Sequence, residues 1–127
     1  MSFTGTDSCG NSPKNLFVAR FEQNLFNGDR SALAEVVADD CVLQIVSADG
    51  ASTHTGAAQV LDALVSLSAQ APAFGHLEAA ITHGKAAAAW GHWQQSADGE
   101  DPRHFSHTMW FTTHKAQAFG QIRIFQT

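Results

Sequence analysis

The sequence predicts an α+β fold, with helices packed on one face of a curved antiparallel sheet. Three observations predict it. Up to Ala71-Pro72, apolar residues recur mainly at spacings of three and four, the period of a helix. Beyond that break, apolar and polar residues alternate, the period of a strand. The two patterns are also segregated, with three helices early and a four-strand meander late, which favours α+β over an interleaved α/β arrangement. At 127 residues, 44% hydrophobic and 15% charged, the chain has the size of one domain and buries a core without disulfides or metal.

The elements follow in order. Residues 1–11 are polar and rich in Gly, Ser and Thr, and read as a flexible N-terminal arm before a single domain over 12–127. Ser12-Pro13 is a helix start, a hydroxyl cap followed by proline at the first helical position. Phe17, Val18, Phe21 and Leu25 then form one side of a helix to Phe26, and Asn27-Gly28 ends it. Asp29 or Ser31 caps a short second helix striped by Leu33, Val36 and Val37, and Asp39-Asp40 stops it. Cys41–Ser47 is β-branched and reads as a strand. Ala48–Thr55 reads as a turn-rich connection. Gly56 leads into a third helix, Ala57–Ala69, with Val60, Leu61, Leu64, Val65 and Leu67 on its apolar side. The meander is then Ala73–His83, a tight turn at Gly84-Lys85, Ala86–Ser96, a loop over Ala97–Pro102, Arg103–His114 and Ala116–Gln126.

The middle pair of the meander carries aromatic surface on both faces. Alternation puts Trp90, His92 and Gln94 on one face of the first strand, and Phe105, His107, Met109 and Phe111 on one face of the second. Trp93 and Trp110 fall on the opposite faces. A sheet that is apolar on both sides needs helices on one and a partner or ligand on the other.

Composition excludes several classes. The seven Lys and Arg are scattered and the net charge is −5, which argues against a nucleic-acid or anionic-membrane surface. No apolar run approaches a membrane span, and no basic-then-apolar leader opens the chain, so the reading is a cytoplasmic protein. Two cysteines, Cys9 and Cys41, do not make a disulfide framework. No cofactor is expected, since the chain holds no phosphate loop, dinucleotide fingerprint or nucleophile elbow. His92 and His107 lack a third evident ligand, so no metal is expected either.

The run Phe21–Gln44 resembles the opening of the nuclear transport factor 2-like superfamily, which includes ketosteroid isomerases, SnoaL-like polyketide cyclases and scytalone dehydratase. The resemblance rests on the aromatic first helix, Asn27-Gly28-Asp29, Ala38-Asp39-Asp40 before a strand, Gly56-Ala57-Ala58 opening the third helix, and Ile122-Arg123-Ile124-Phe125 in the last strand. It implies a cone-shaped half barrel with a deep pocket between the first helix and the concave sheet. It implies a pocket lining drawn from Phe17, Phe21, Ile45, Trp90, Gln94, Phe105, Met109, Phe111, Ile122 and Ile124. It also implies a homodimer through the outer sheet face, with Trp93, Trp110, Arg123 and Phe125 at the interface.

The isomerase chemistry does not carry over. The oxyanion tyrosine falls at Phe21, the carboxylate base at Ile45 and the protonated aspartic acid at Met109, where SnoaL-like cyclases also tend to be acidic. None of the three side chains present can move a proton. His92 and His107 are the catalytic candidates that remain. A hairpin register pairing positions 92 and 107 sets them face to face, and a two-residue slip leaves them diagonal on the same face. Two imidazoles against an apolar wall can divide acid and base roles. Three functions stay open: binding of a small apolar ligand, polycyclic or aromatic; a dehydratase, cyclase or isomerase using histidine acid/base catalysis; and a homodimerisation module with a vestigial pocket.

Overall fold

The structure is a computed structural model, and it describes residues 2–8, 12–70, 73–94, 102–113 and 117–127. The expected break at Ala71-Pro72 and most of the expected loop Ala97–Pro102 lie outside the described residues.

Helix α1 (Pro13–Asn27) forms where the sequence marks it. The Ser12 hydroxyl accepts from the Asn15 amide, and proline occupies the first turn. Gly28 ends the helix in the left-handed region at φ 66°, a conformation that costs a side chain-bearing residue energy. Asp29 then caps the short α2 (Arg30–Ala34) by accepting from the Ala32 amide at 3.1 Å. Helix α3 (Ala57–Ala69) buries Val60, Leu61, Leu64 and Leu67.

The strands are β1 (Ser2–Thr4), β2 (Val37–Ser47), β3 (Gly50–Thr55), β4 (Phe74–His83), β5 (Ala86–Gln94), β6 (Arg103–Phe111) and β7 (Phe119–Gln126). They form one sheet in the order β1-β4-β5-β6-β7-β2-β3. The α+β class holds, but the cone-shaped half barrel does not. The sheet ends in two free edges, β1 and β3, and neither closes into a barrel nor curls strongly. A barrel needs every strand paired on both sides. Here both edges are short, β3 is exposed and largely polar, and β1 turns only Phe3 toward the core, features that end pairing. The sheet is also mixed rather than antiparallel, because β1 runs parallel to β4 and β2 runs parallel to β7. Strand β1 lies in the stretch read as an arm, and β3 in the stretch read as a connection.

Helices α1 and α3 pack on one face, α1 over β4 and β5 and α3 over β2. The rings of Phe17, Phe21, Phe111 and Phe119 interlock there, with centroids 4.9–5.7 Å apart. Cys41 is buried beside them on β2. Burial, and secondarily the Asp40 carboxylate, push its thiol up to about 11. A thiol raised in the folded state stays protonated where the unfolded chain ionises. The stability it contributes is therefore complete below about pH 9 and is lost as pH rises through about 11. Urea unfolding should show a loss of about 1–2 kcal/mol over that window, absent in Cys41→Val. Equal slopes in both proteins would contradict this.

Candidate functional site

The observed β5–β6 register decides which histidines meet. His107 pairs with Ala89, three residues short of His92, and His92 pairs with His104. An odd shift turns a whole strand over. His92, Trp90 and Gln94 therefore lie on the helix-free face, while Trp93 points to the helix side and is buried. This corrects the reading that put His92 and His107 on one face, and the one that put Trp93 outside. Of the other residues read as pocket lining, Phe21, Phe105, Met109, Phe111, Ile122 and Ile124 are buried on the helix side. Phe17 and Ile45 are partly buried against the same core. Trp110, Arg123 and Phe125 are on the helix-free face.

His107 has a partner that the sequence reading did not give it. Along one lateral row of the inner face stand Ala80, Ala89, His107, Ile124 and Ile45. The two alanines leave room above β4 and β5 for α1 to come close. Glu22 on α1 then reaches His107, whose Nδ1 lies 2.8 and 2.9 Å from the two carboxylate oxygens. His107 is 0% exposed and Glu22 2%. A carboxylate accepts, so Nδ1 carries the proton and Nε2 is left to face elsewhere.

That Nε2 has no hydrogen-bond partner among the described residues. Neither has the Nε1 of Trp93, the other buried side-chain atom in this condition. The Phe105 ring lies between them, 4.7 Å from His107 and 5.1 Å from Trp93 by centroids. An unpaired buried polar atom costs roughly 1–3 kcal/mol, so two on either side of one ring are a costly arrangement. The surrounding space is filled, because His107, Phe111, Phe119, Ile122 and Ile124 touch no gap that admits water. Among the described residues, no group of three His, Cys, Asp or Glu is placed to hold a metal.

Glu22 was legible. It occupies the apolar stripe of α1, four residues from Val18 and Phe26 and three from Leu25. His107 sits in the same way between Phe105 and Met109. A lone acid and a lone base, each at a core position, are complementary.

The helix-free face mixes polar side chains with large exposed apolar ones. Ile81 (52% exposed), Trp90, Trp110 (53%) and Phe125 all stand on it, and Leu16 is the one other exposed large hydrophobic among the described residues. A groove of about 430 Å³ runs between Ile81, Ala86, Ala88, Trp110 and Arg123. Gln44 holds Arg123 by accepting from its Nε at 2.8 Å.

No protein-family model matches the chain, and no curated protein does. Solved structures do. A nuclear transport factor 2-like protein of unknown function from Mesorhizobium loti superposes with a TM-score of 0.71 at 16% identity, over 100% of this chain and 99% of that one. An uncharacterised bacterial protein with a cystatin-like fold, from Silicibacter pomeroyi, gives 0.70 at 15% identity, over 89% and 74%. A candidate SnoaL-like polyketide cyclase from Shewanella putrefaciens gives 0.70 at 11% identity, over 95% and 84%. At these identities the likeness is one of fold: the chain has the fold of nuclear transport factor 2-like and SnoaL-like proteins. No helix among the described residues is long and apolar enough to cross a membrane.

Proposed function

We propose that this chain binds a small, largely apolar molecule on the helix side of the sheet and anchors its polar group on His107 Nε2. The observation that carries the reading is that nitrogen itself, fully buried, oriented by Glu22 and without a partner. The rest of the neighbourhood is aromatic and aliphatic, as in sites that take apolar ligands through few polar contacts. The site is packed, so binding displaces side chains. The same nitrogen is the basic one of the pair, so a bound substrate carrying an acidic C–H or O–H would meet a general base there. Glu22 on the first helix orients that base by accepting from its Nδ1.

The test uses a bicyclic aromatic alcohol, 2-naphthol, against naphthalene. Titration followed by ligand fluorescence should show the alcohol binding more tightly, with the difference lost in His107→Phe. Equal binding of 2-naphthol to the wild type and His107→Phe would refute the anchor.

A second reading concerns assembly: two copies pair through the helix-free face. What favours it is that Ile81, Trp90, Trp110 and Phe125 all stand exposed there, since large exposed apolar area marks an interface. Sedimentation at micromolar concentration should give a dimer, and Trp110→Asp a monomer. A monomeric wild type would defeat this reading.

A further inference from the structure

The helix-free face is not level. Near the β4–β5 turn, the outer side of β5 carries only the methyl groups of Ala86 and Ala88, between larger side chains on the neighbouring strands. Ala88 stands between Ile81 on β4 and Thr108 on β6, with Arg123 on β7 and Gln44 on β2 next in the same lateral row. Ala86 stands between His83 and Trp110, with Gln121 beyond. The two alanines are thus the floor of the groove of about 430 Å³, with Ile81 and His83 as one wall and Trp110 and Arg123 as the other. That volume falls within the range of about 300–1,000 Å³ usual for small-molecule sites.

We propose that this groove binds a small planar aromatic carboxylate, its ring on the alanine floor and its carboxylate on Arg123. The site lies on the opposite face from His107 and does not rest on the role given to that residue. Arg123 donates its Nε to Gln44 Oε1 at 2.8 Å, which holds the plane of the guanidinium. No described residue accepts from its two terminal nitrogens. A planar fork of that kind matches a carboxylate through two parallel hydrogen bonds. Ile81 and Trp110, both exposed, supply apolar surface on either side of the floor.

The distribution of charge selects an anion. The chain carries twelve Asp and Glu, yet none falls in 79–97 or 102–127, the stretches that contain β5, β6, β7 and the end of β4. Lys85, Arg103, Lys115 and Arg123 all fall there. The groove is therefore walled by the part of an acidic chain that lacks acid. The carboxylates elsewhere stand apart from it. Glu78 accepts from His92, which is four residues along β5 from Ala88. Asp98, Glu100 and Asp101 belong to the connection at the opposite end of β5 and β6. Asp40 and Asp49 fall four and five residues to either side of Gln44. At about 3.3 Å per residue these separations come to about 10 Å or more, beyond the screening length of about 8 Å at physiological salt. The net charge of −5 therefore acts weakly on an anion in the groove.

2-Naphthoate and the neutral 2-naphthamide test this, each titrated at fixed ionic strength and followed by ligand fluorescence. The carboxylate should saturate and bind at least about tenfold more tightly than the amide, with the advantage lost in Arg123→Met. Ala88→Leu, which raises the floor, should weaken both ligands. Arg123 is exposed and Ala88 half-buried, and circular dichroism checks that both variants keep the fold. Absence of saturable 2-naphthoate binding overturns the groove site and leaves the reading of His107 standing, as does equal binding of carboxylate and amide. Unchanged 2-naphthoate binding in Arg123→Met or in Ala88→Leu overturns it too, because the ligand then sits elsewhere. A wild type that sediments as a dimer and binds no 2-naphthoate gives the groove to the second copy, and the proposal fails.

Discussion

His107→Ala should lower the unfolding free energy by about 3–5 kcal/mol in urea titrations, among the largest single-residue losses in this chain. The reason lies less in the lost hydrogen bonds than in what remains. Glu22 is 2% exposed and would keep its carboxylate in the core with neither partner nor water. Removing one half of a buried pair leaves the full desolvation cost of the other. Removing both is different. A Glu22→Leu/His107→Leu double variant should regain most of the stability, because apolar side chains of similar volume often replace buried pairs at little or no cost. If the double variant is as stable as the wild type and fails to bind 2-naphthol, the pair serves binding and not the fold. A loss below about 1 kcal/mol in His107→Ala would contradict this account of the pair.

Gly91→Ala should cost about 3 kcal/mol or leave the chain unable to fold, which thermal unfolding and soluble yield would report. Gly91 lies on the inner face of β5 opposite Leu77, where the β4–β5 register shifts between Leu77 and Ala79. A methyl group there would overlap the His76 carbonyl oxygen and press on the Phe105 ring. Backbone cannot swing aside as a side chain can, so the strands would have to separate. The same change at Gly84 meets nothing nearby and carries only the strain of its φ of 58°. It should cost much less, roughly 1 kcal/mol. Comparable losses at the two sites would contradict the steric argument.

What was legible in the sequence was local. Ser12-Pro13 and Gly28 bound α1 because caps and left-handed termini are set by neighbouring residues. Gly84 marks the β4–β5 turn for the same reason. The strand register was not legible. β5 opens with four alanines and then carries a tryptophan on each face, so alternation alone cannot say which face is inner. That ambiguity moved His92 and Trp93 to the wrong sides. Edges β1 and β3 are short and polar and owe their strand conformation to the partner beside them. The openness of the sheet follows from pairings between distant segments, which residue patterns do not encode. Within the site, periodicity set Phe21 on the apolar side of α1 and His107 with Met109 on one face of β6, and the family resemblance turned that face inward, whereas Glu22 needed attention to a charge on an apolar stripe.

The parallel pairing of β2 with β7 has a consequence for how the chain reaches its native state. Gln44 and Arg123, bonded across that pair, are 79 residues apart in sequence. Strand β7 joins the β4–β5–β6 meander to the β2–β3 hairpin, so the sheet is two unconnected halves until it arrives. During synthesis the first half emerges long before its neighbour exists, with the apolar residues of β2 and α3 uncovered. Contacts of such long range slow folding and prolong that exposure. Deletion of 119–126 should therefore leave two aggregation-prone pieces, not a smaller stable domain.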